Sequence, residues 1–151
     1  MDITVVEISS KMVYIARKWY SLEFDDHHRV VIKDGVKFVE GEARKGVKYD
    51  AVLVDVCDSS PLLIQPIICP IRTFLGEAFI RNTAKMISTE GLNSYAKITV
   101  VLQLTPHFSN YFNYCNIKDT GIGNMIFYCM LKRPLKEKNI NVLEFVKNTP
   151  L

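Results

Sequence analysis

Three short segments constrain this chain more than anything else in it. They are Ile3-Thr4-Val5-Val6-Glu7-Ile8, Arg29-Val30-Val31-Ile32-Lys33 and Tyr49-Asp50-Ala51-Val52-Leu53-Val54-Asp55-Val56. Each is β-branched, and the first and third are apolar on both alternating faces. Strands of that kind need cover on both sides, as in a parallel sheet flanked by helices. The connections agree. Met12, Ile15, Ala16, Trp19 and Tyr20 recur at spacings of three and four, which predicts an amphipathic helix over about Lys11–Leu22 with Ser9 or Ser10 as its N-cap and Trp19 in the core. Asp25-Asp26-His27-His28 is a polar break, and Asp34-Gly35 closes the second strand. A short helical stretch is expected from Val36, and Gly41–Lys48 reads as a charged loop.

After the third strand come Cys57-Asp58-Ser59-Ser60-Pro61 and an apolar loop running to Pro70, which suits a substrate-covering flap, a partner surface or simple packing under the next helix. A helix over about Thr73–Ser88 carries Leu75, Ala78, Phe79 and Met86, with Gly91 as its C′ residue. Ser94–Leu104 fits a helix face and a strand face about equally, and Asn93-Ser94 as a cap tips the reading to helix. Two β-rich runs, Tyr111–Ile117 and Asn124–Leu131, flank the turn Lys118-Asp119-Thr120-Gly121 and predict an antiparallel pair. The fold class expected is α/β: one domain over residues 1–151, its sheet mostly parallel with a C-terminal antiparallel strand pair.

Composition excludes several classes. A chain of 151 residues with 48% hydrophobic and 23% charged residues is ordinary globular material. Its net charge of +3 and pI near 8.6 fall short of a nucleic-acid module. No apolar run is long enough for a membrane helix, and the start has no basic n-region, so a cytoplasmic location without membrane contact is expected. Cys57, Cys69, Cys115 and Cys129 have no zinc spacing and read as reduced, packed thiols. His27-His28 has no third residue spaced to complete a metal site.

Chemistry is expected where the strands end, because ligands of open α/β sheets collect at their carboxyl ends. Glu7, Asp34 and Asp55 occupy such positions, 27 and 21 residues apart. Any one of them has a bland structural reading, but their order suggests a nucleoside slot. A carboxylate can accept hydrogen bonds from both ribose hydroxyls. An apolar neighbour, here Ile8, can pack on adenine, and Asp34-Gly35 can meet the adenine edge with close backbone approach.

The segments Val5-Val6-Glu7-Ile8-Ser9, Lys33-Asp34-Gly35, Tyr49–Val56 and Thr89-Glu90-Gly91 together resemble the successive motifs of class I S-adenosylmethionine-dependent methyltransferases of the spermidine-synthase-like branch. Within it they are most similar to the C-terminal domain of the elongation-factor-1-alpha lysine and N-terminal methyltransferases. The resemblance implies a Rossmann-like sheet with S-adenosylmethionine as cofactor. Glu7 would hold the ribose, Ile8 would pack on adenine, Asp34 and Gly35 would lie at its edge, and Asp55 would lie at the methionine end and the reacting centre. It implies methyl transfer to a protein amine, without a metal.

The family's first strand and glycine-rich loop would precede residue 1, so the sheet is expected to be truncated and transfer impaired. A helix at Ser94–Leu104 would remove a second central strand. Two other functions fit the residues: a non-catalytic relative acting through binding, and an aminopropyltransferase. Apolar strands left without neighbours predict self-association or a partner that completes the sheet.

Overall fold

The computed structural model describes residues 1–57, 70–96, 105–119 and 125–133. It begins with strand β1 (Ile3–Glu7), helix α1 (Ser10–Trp19) and strand β2 (His28–Ile32). The two strands pair in parallel from Ile3 opposite His28 to Glu7 opposite Ile32. Helix α2 (Gly35–Lys45) follows, then strand β3 (Tyr49–Val54), a 3-10 turn (Arg72–Leu75), helix α3 (Glu77–Met86) and strand β4 (Ile87–Ala96). A short helix α4 (Thr105–Ser109) leads to strands β5 (Tyr114–Asp119) and β6 (Met125–Met130).

The strands form two sheets, β1-β2 and β3-β4-β6-β5. Pairings β1–β2 and β3–β4 are parallel, while β4–β6 and β5–β6 are antiparallel. The expected α/β class and C-terminal antiparallel pair are therefore present, with the parallel strands divided between the sheets.

Several local expectations are corrected. Gly41 lies inside α2, which runs on to Lys45 and ends at Gly46 in the left-handed conformation (φ 73°), so Gly41–Lys48 is mostly helix. Ser94 lies in β4, and the expected helix over Ser94–Leu104 gives way there to strand; residues 97–104 lie outside the described set. Pairing with β3 on one side and β6 on the other decides the conformation over local propensity.

Gly91 does not cap α3, which passes into β4 at Ile87. It sits where the β3–β4 register shifts between Tyr49 and Ala51. A Cβ on Gly91 would lie 2.8 Å from the carbonyl oxygen of Asp50 and 2.7 Å from Cγ2 of Ile87. The backbones approach too closely there for a side chain.

The described cysteines are not free thiols. Cys115 and Cys129 face each other across β5 and β6 and form a disulfide, and Cys57 is also disulfide-bonded. Cys69 lies outside the described residues. Direct cross-strand pairing brings Cys115 and Cys129 together, although their sequence separation of 14 matches no recognisable motif.

The core joins α2, α3, α4 and the larger sheet through Val39, Val54, Phe79, Ile80, Met86, Phe108, Phe112, Phe127 and Cys129. Phe108 meets Phe127 edge to face at 5.0 Å. Thr83 is fully buried among them, and its hydroxyl donates to the Phe79 carbonyl at 2.8 Å, so that hydroxyl is not stranded. Trp19 lies outside this core and is 70% exposed. Helix α1 has the expected apolar arc, but only Val13 and Ala16 among its residues are half-buried. No residue before Val39 is buried.

Candidate functional site

The carboxyl ends of β1 and β2 lie side by side. The Lys33 amide donates to the Glu7 carbonyl at 3.0 Å, continuing the ladder one step past β2. Glu7 is half-buried, and its Oε1 accepts the Ser9 amide hydrogen at 2.7 Å. Ser9 in turn caps α1, its hydroxyl accepting from the Met12 amide at 3.4 Å. The loop after β1 is thus folded back on the Glu7 carboxylate. A carboxylate has about four acceptor positions, so one amide leaves capacity for two hydroxyls. Ile8, next to it, presents an apolar side chain that is 70% exposed.

Asp34 is the N-cap of α2, its Oδ1 accepting the Lys37 amide at 2.9 Å. This local duty accounts for an acid here without any ligand. Gly35 follows as the first helical residue. A Cβ on it would stand 3.1 Å from Cε1 and Cζ of Phe74.

Asp55 is exposed and lies one residue past β3. The next carbonyl, that of Val56, accepts the Ile71 amide at 2.9 Å, and the Ile71 carbonyl accepts the Phe74 amide at 3.0 Å. Phe74 is braced edge to face against buried Phe79 at 4.9 Å. A continuous path therefore joins the end of β3 to the start of α2: Val56, Ile71, Phe74, Gly35. Glu7 and Asp34 end adjacent strands of one sheet, while Asp55 ends a strand of the other and is tied to them through Phe74.

The sequence reading missed Phe74, taking Thr73 onward as one helix. The clue was Gly35 itself. Glycine at the head of a helix is unremarkable as a cap, yet directly after an Asp cap it marks a close neighbour.

The remaining candidates lack supporting geometry. His27 Nδ1 pairs with Asp2, and both are exposed. No metal-binding group occurs among the described residues. Cys57 is bonded and cannot serve as a nucleophile in this state. Asp58, Ser60 and the apolar loop up to residue 69 lie outside the described residues. Among those described, no helix is long and apolar enough to cross a membrane.

Known proteins are similar to this chain in sequence and in fold. No family model matches the chain. It is 37% identical over 90 residues to the eEF1A lysine and N-terminal methyltransferase homolog of Drosophila melanogaster, and 30% identical over 95 residues to the Homo sapiens eEF1A lysine and N-terminal methyltransferase. Each match takes in 60% of this chain and 13% of the relative, so the chain spans a small part of these proteins. Human methyltransferase-like protein 13, solved in complex with SAH, superposes with a TM-score of 0.75 at 25% identity, over 97% of this chain and 68% of that one. A spermidine synthase bound to the transition-state analogue AdoDATO superposes with a TM-score of 0.61 at 16% identity, over 87% of this chain and 47% of that one, which shows the shared fold.

Proposed function

We propose that this methyltransferase-like domain carries the adenosine-binding half of an S-adenosylmethionine site, and that its parent activity is methyl transfer to a protein amine. The observation that carries the reading is the junction of strand ends. Glu7 and Asp34 lie at adjacent carboxyl ends, exposed Ile8 stands beside Glu7, and Phe74 links Gly35 to the segment after Asp55. In this reading Glu7 accepts the ribose hydroxyls, Ile8 covers adenine, and Asp34 and Gly35 border its edge. Asp55 lies at the methionine end, where it positions the incoming amine. The likeness to eEF1A methyltransferases supports a protein acceptor.

S-adenosylmethionine supplies an electrophilic methyl group to such a site. In-line transfer then depends on placing a neutral amine, whose lone pair would form the N–C bond as the methyl–sulfur bond breaks and S-adenosylhomocysteine leaves, the resulting methylammonium giving up one proton to solvent. A non-catalytic binding role fits the same residues.

Saturation-transfer NMR with S-adenosylhomocysteine tests this. Signal at the adenine and ribose protons, abolished by Glu7→Ala, is expected. No transfer to the adenine protons would remove the nucleoside reading.

The same reading includes association through the sheets. Val5 and Leu53, on apolar strands, are 40% and 65% exposed. Among the described residues β1 and β3 each pair with a strand on one side only, and apolar surface beside such an edge favours pairing with another chain. Sedimentation velocity should show mass rising with concentration, less so for Leu53→Lys. A wild-type monomer at every concentration would refute it.

A further inference from the structure

Helix α2 carries a second feature that the nucleoside reading does not use. A cavity of about 500 Å³ is lined by Lys33, Lys37, Glu40, Gly41, Arg44 and Lys45. Four cations and one carboxylate line it, and with Glu42, which holds Lys45, the local excess is two positive charges.

The cations differ in what they do. Arg44 is held by Glu40 at 2.9 Å and Lys45 by Glu42 at 2.7 Å, which fixes two of them along the helix. Lys33 and Lys37 are exposed and take part in no ion pair among the described residues. Gly41 supplies the depth. Glycine inside a helix is unfavourable relative to alanine, yet here the only neighbouring atom a Cβ would approach is Nζ of Lys33, at 3.9 Å. The missing side chain keeps the floor of the groove open beneath a lysine.

We infer that this groove binds an acidic peptide segment of a partner protein. Lys37 to Lys45 rise along α2 by roughly 12 Å, which matches three or four residues of extended chain at about 3.3 Å each. Carboxylates on alternate residues of such a segment fall along the row from Lys37 to Arg44, and Lys33 closes over them. A nucleic-acid strand fits less well, because no aromatic side chain lines the groove to receive a base. This inference stands apart from the adenosine site and does not depend on it.

The experiment is fluorescence anisotropy of a labelled hexaglutamate peptide, with a labelled hexathymidylate for comparison. The 151-residue chain should bind hexaglutamate at about 10 mM salt and release it near 150 mM, as the screening length falls from about 30 Å to about 8 Å. The double reversal Lys33→Glu with Lys37→Glu should weaken binding roughly tenfold or more, since each exposed charge contributes modestly. Lys11→Glu, on α1, should leave it unchanged. Both reversed side chains are exposed, and circular dichroism verifies that the variants fold. In ¹⁵N spectra the Gly41 amide should shift as peptide is added. Absence of binding at low salt, equal loss with Lys11→Glu, an unmoved Gly41 amide or equal affinity for hexathymidylate would each overturn the proposal.

Discussion

The ring of Phe74 rests directly on Gly35, so close that a Cβ there would stand 3.1 Å from two ring carbons. Phe79, buried and edge-on behind it, limits how far the ring can retreat. Gly35→Ala should therefore destabilise the protein by about 1 kcal/mol, near the lower end for overpacking. It should also weaken the S-adenosylhomocysteine signal. Combining it with Phe74→Leu should recover part of the stability, and a double-mutant cycle of thermal melts reads the coupling. Purely additive effects would show that the contact carries no energy.

Gly91 faces a harder wall, because its neighbour is backbone. With Asp50 O at 2.8 Å and Ile87 Cγ2 at 2.7 Å, an added methyl has to displace β3 or β4. Gly91→Ala should cost about 1–3 kcal/mol, seen as a lower urea midpoint. An unchanged midpoint would mean that the register shift relaxes freely.

The Cys115–Cys129 bond closes a loop with a sequence separation of 14. Removing such a cross-link restores unfolded-chain entropy worth about 3 kcal/mol on the chain-entropy account. Denaturation of the wild type and of the double variant Cys115→Ala with Cys129→Ala, both without reductant, should show that difference. Alkylation and mass measurement of the non-reduced protein should leave both cysteines unmodified.

Asp25 organises the turn into β2. Its carboxylate accepts the His27 and His28 amides at 2.7 and 2.6 Å, and these backbone hydrogen bonds, His27 first, hold its pKa below the ordinary 3.8. A pKa depressed on folding stabilises the folded form above the unfolded value and loses that contribution as pH falls through the folded value. Wild type should therefore exceed Asp25→Asn in stability at neutral pH, with the gap closing below pH 3.8. A gap that persisted at lower pH would assign the effect to something other than ionisation.

The parts legible in the sequence are those governed by local pattern. Parallel strands β1, β2 and β3, the Ser9 cap and the β5–β6 pair all follow from alternation, capping chemistry and turn signals within a few residues. What was not legible depends on distant neighbours. Ser94 extends because β3 and β6 flank it, and Gly91 is required by a carbonyl 41 positions earlier. Cys115 pairs with Cys129 because the hairpin register sets them opposite. The site divides in the same way. Acids at strand ends could be read directly, whereas Phe74 became visible only when the turn after β3 met the start of α2.

The absence of any buried residue before Val39 bears on how this end of the molecule behaves over time. Regions with few buried contacts open locally at a small fraction of the global unfolding cost. Backbone amides of β1, α1 and β2 should exchange with solvent well before those of α3 and β6. Glu7 and Asp34 lie on or beside this loosely held unit, so a nucleoside gripping them would tie down the segment that presents them. Occupancy and local order at this end would then rise and fall together, and ligand concentration would set how long the unit stays closed.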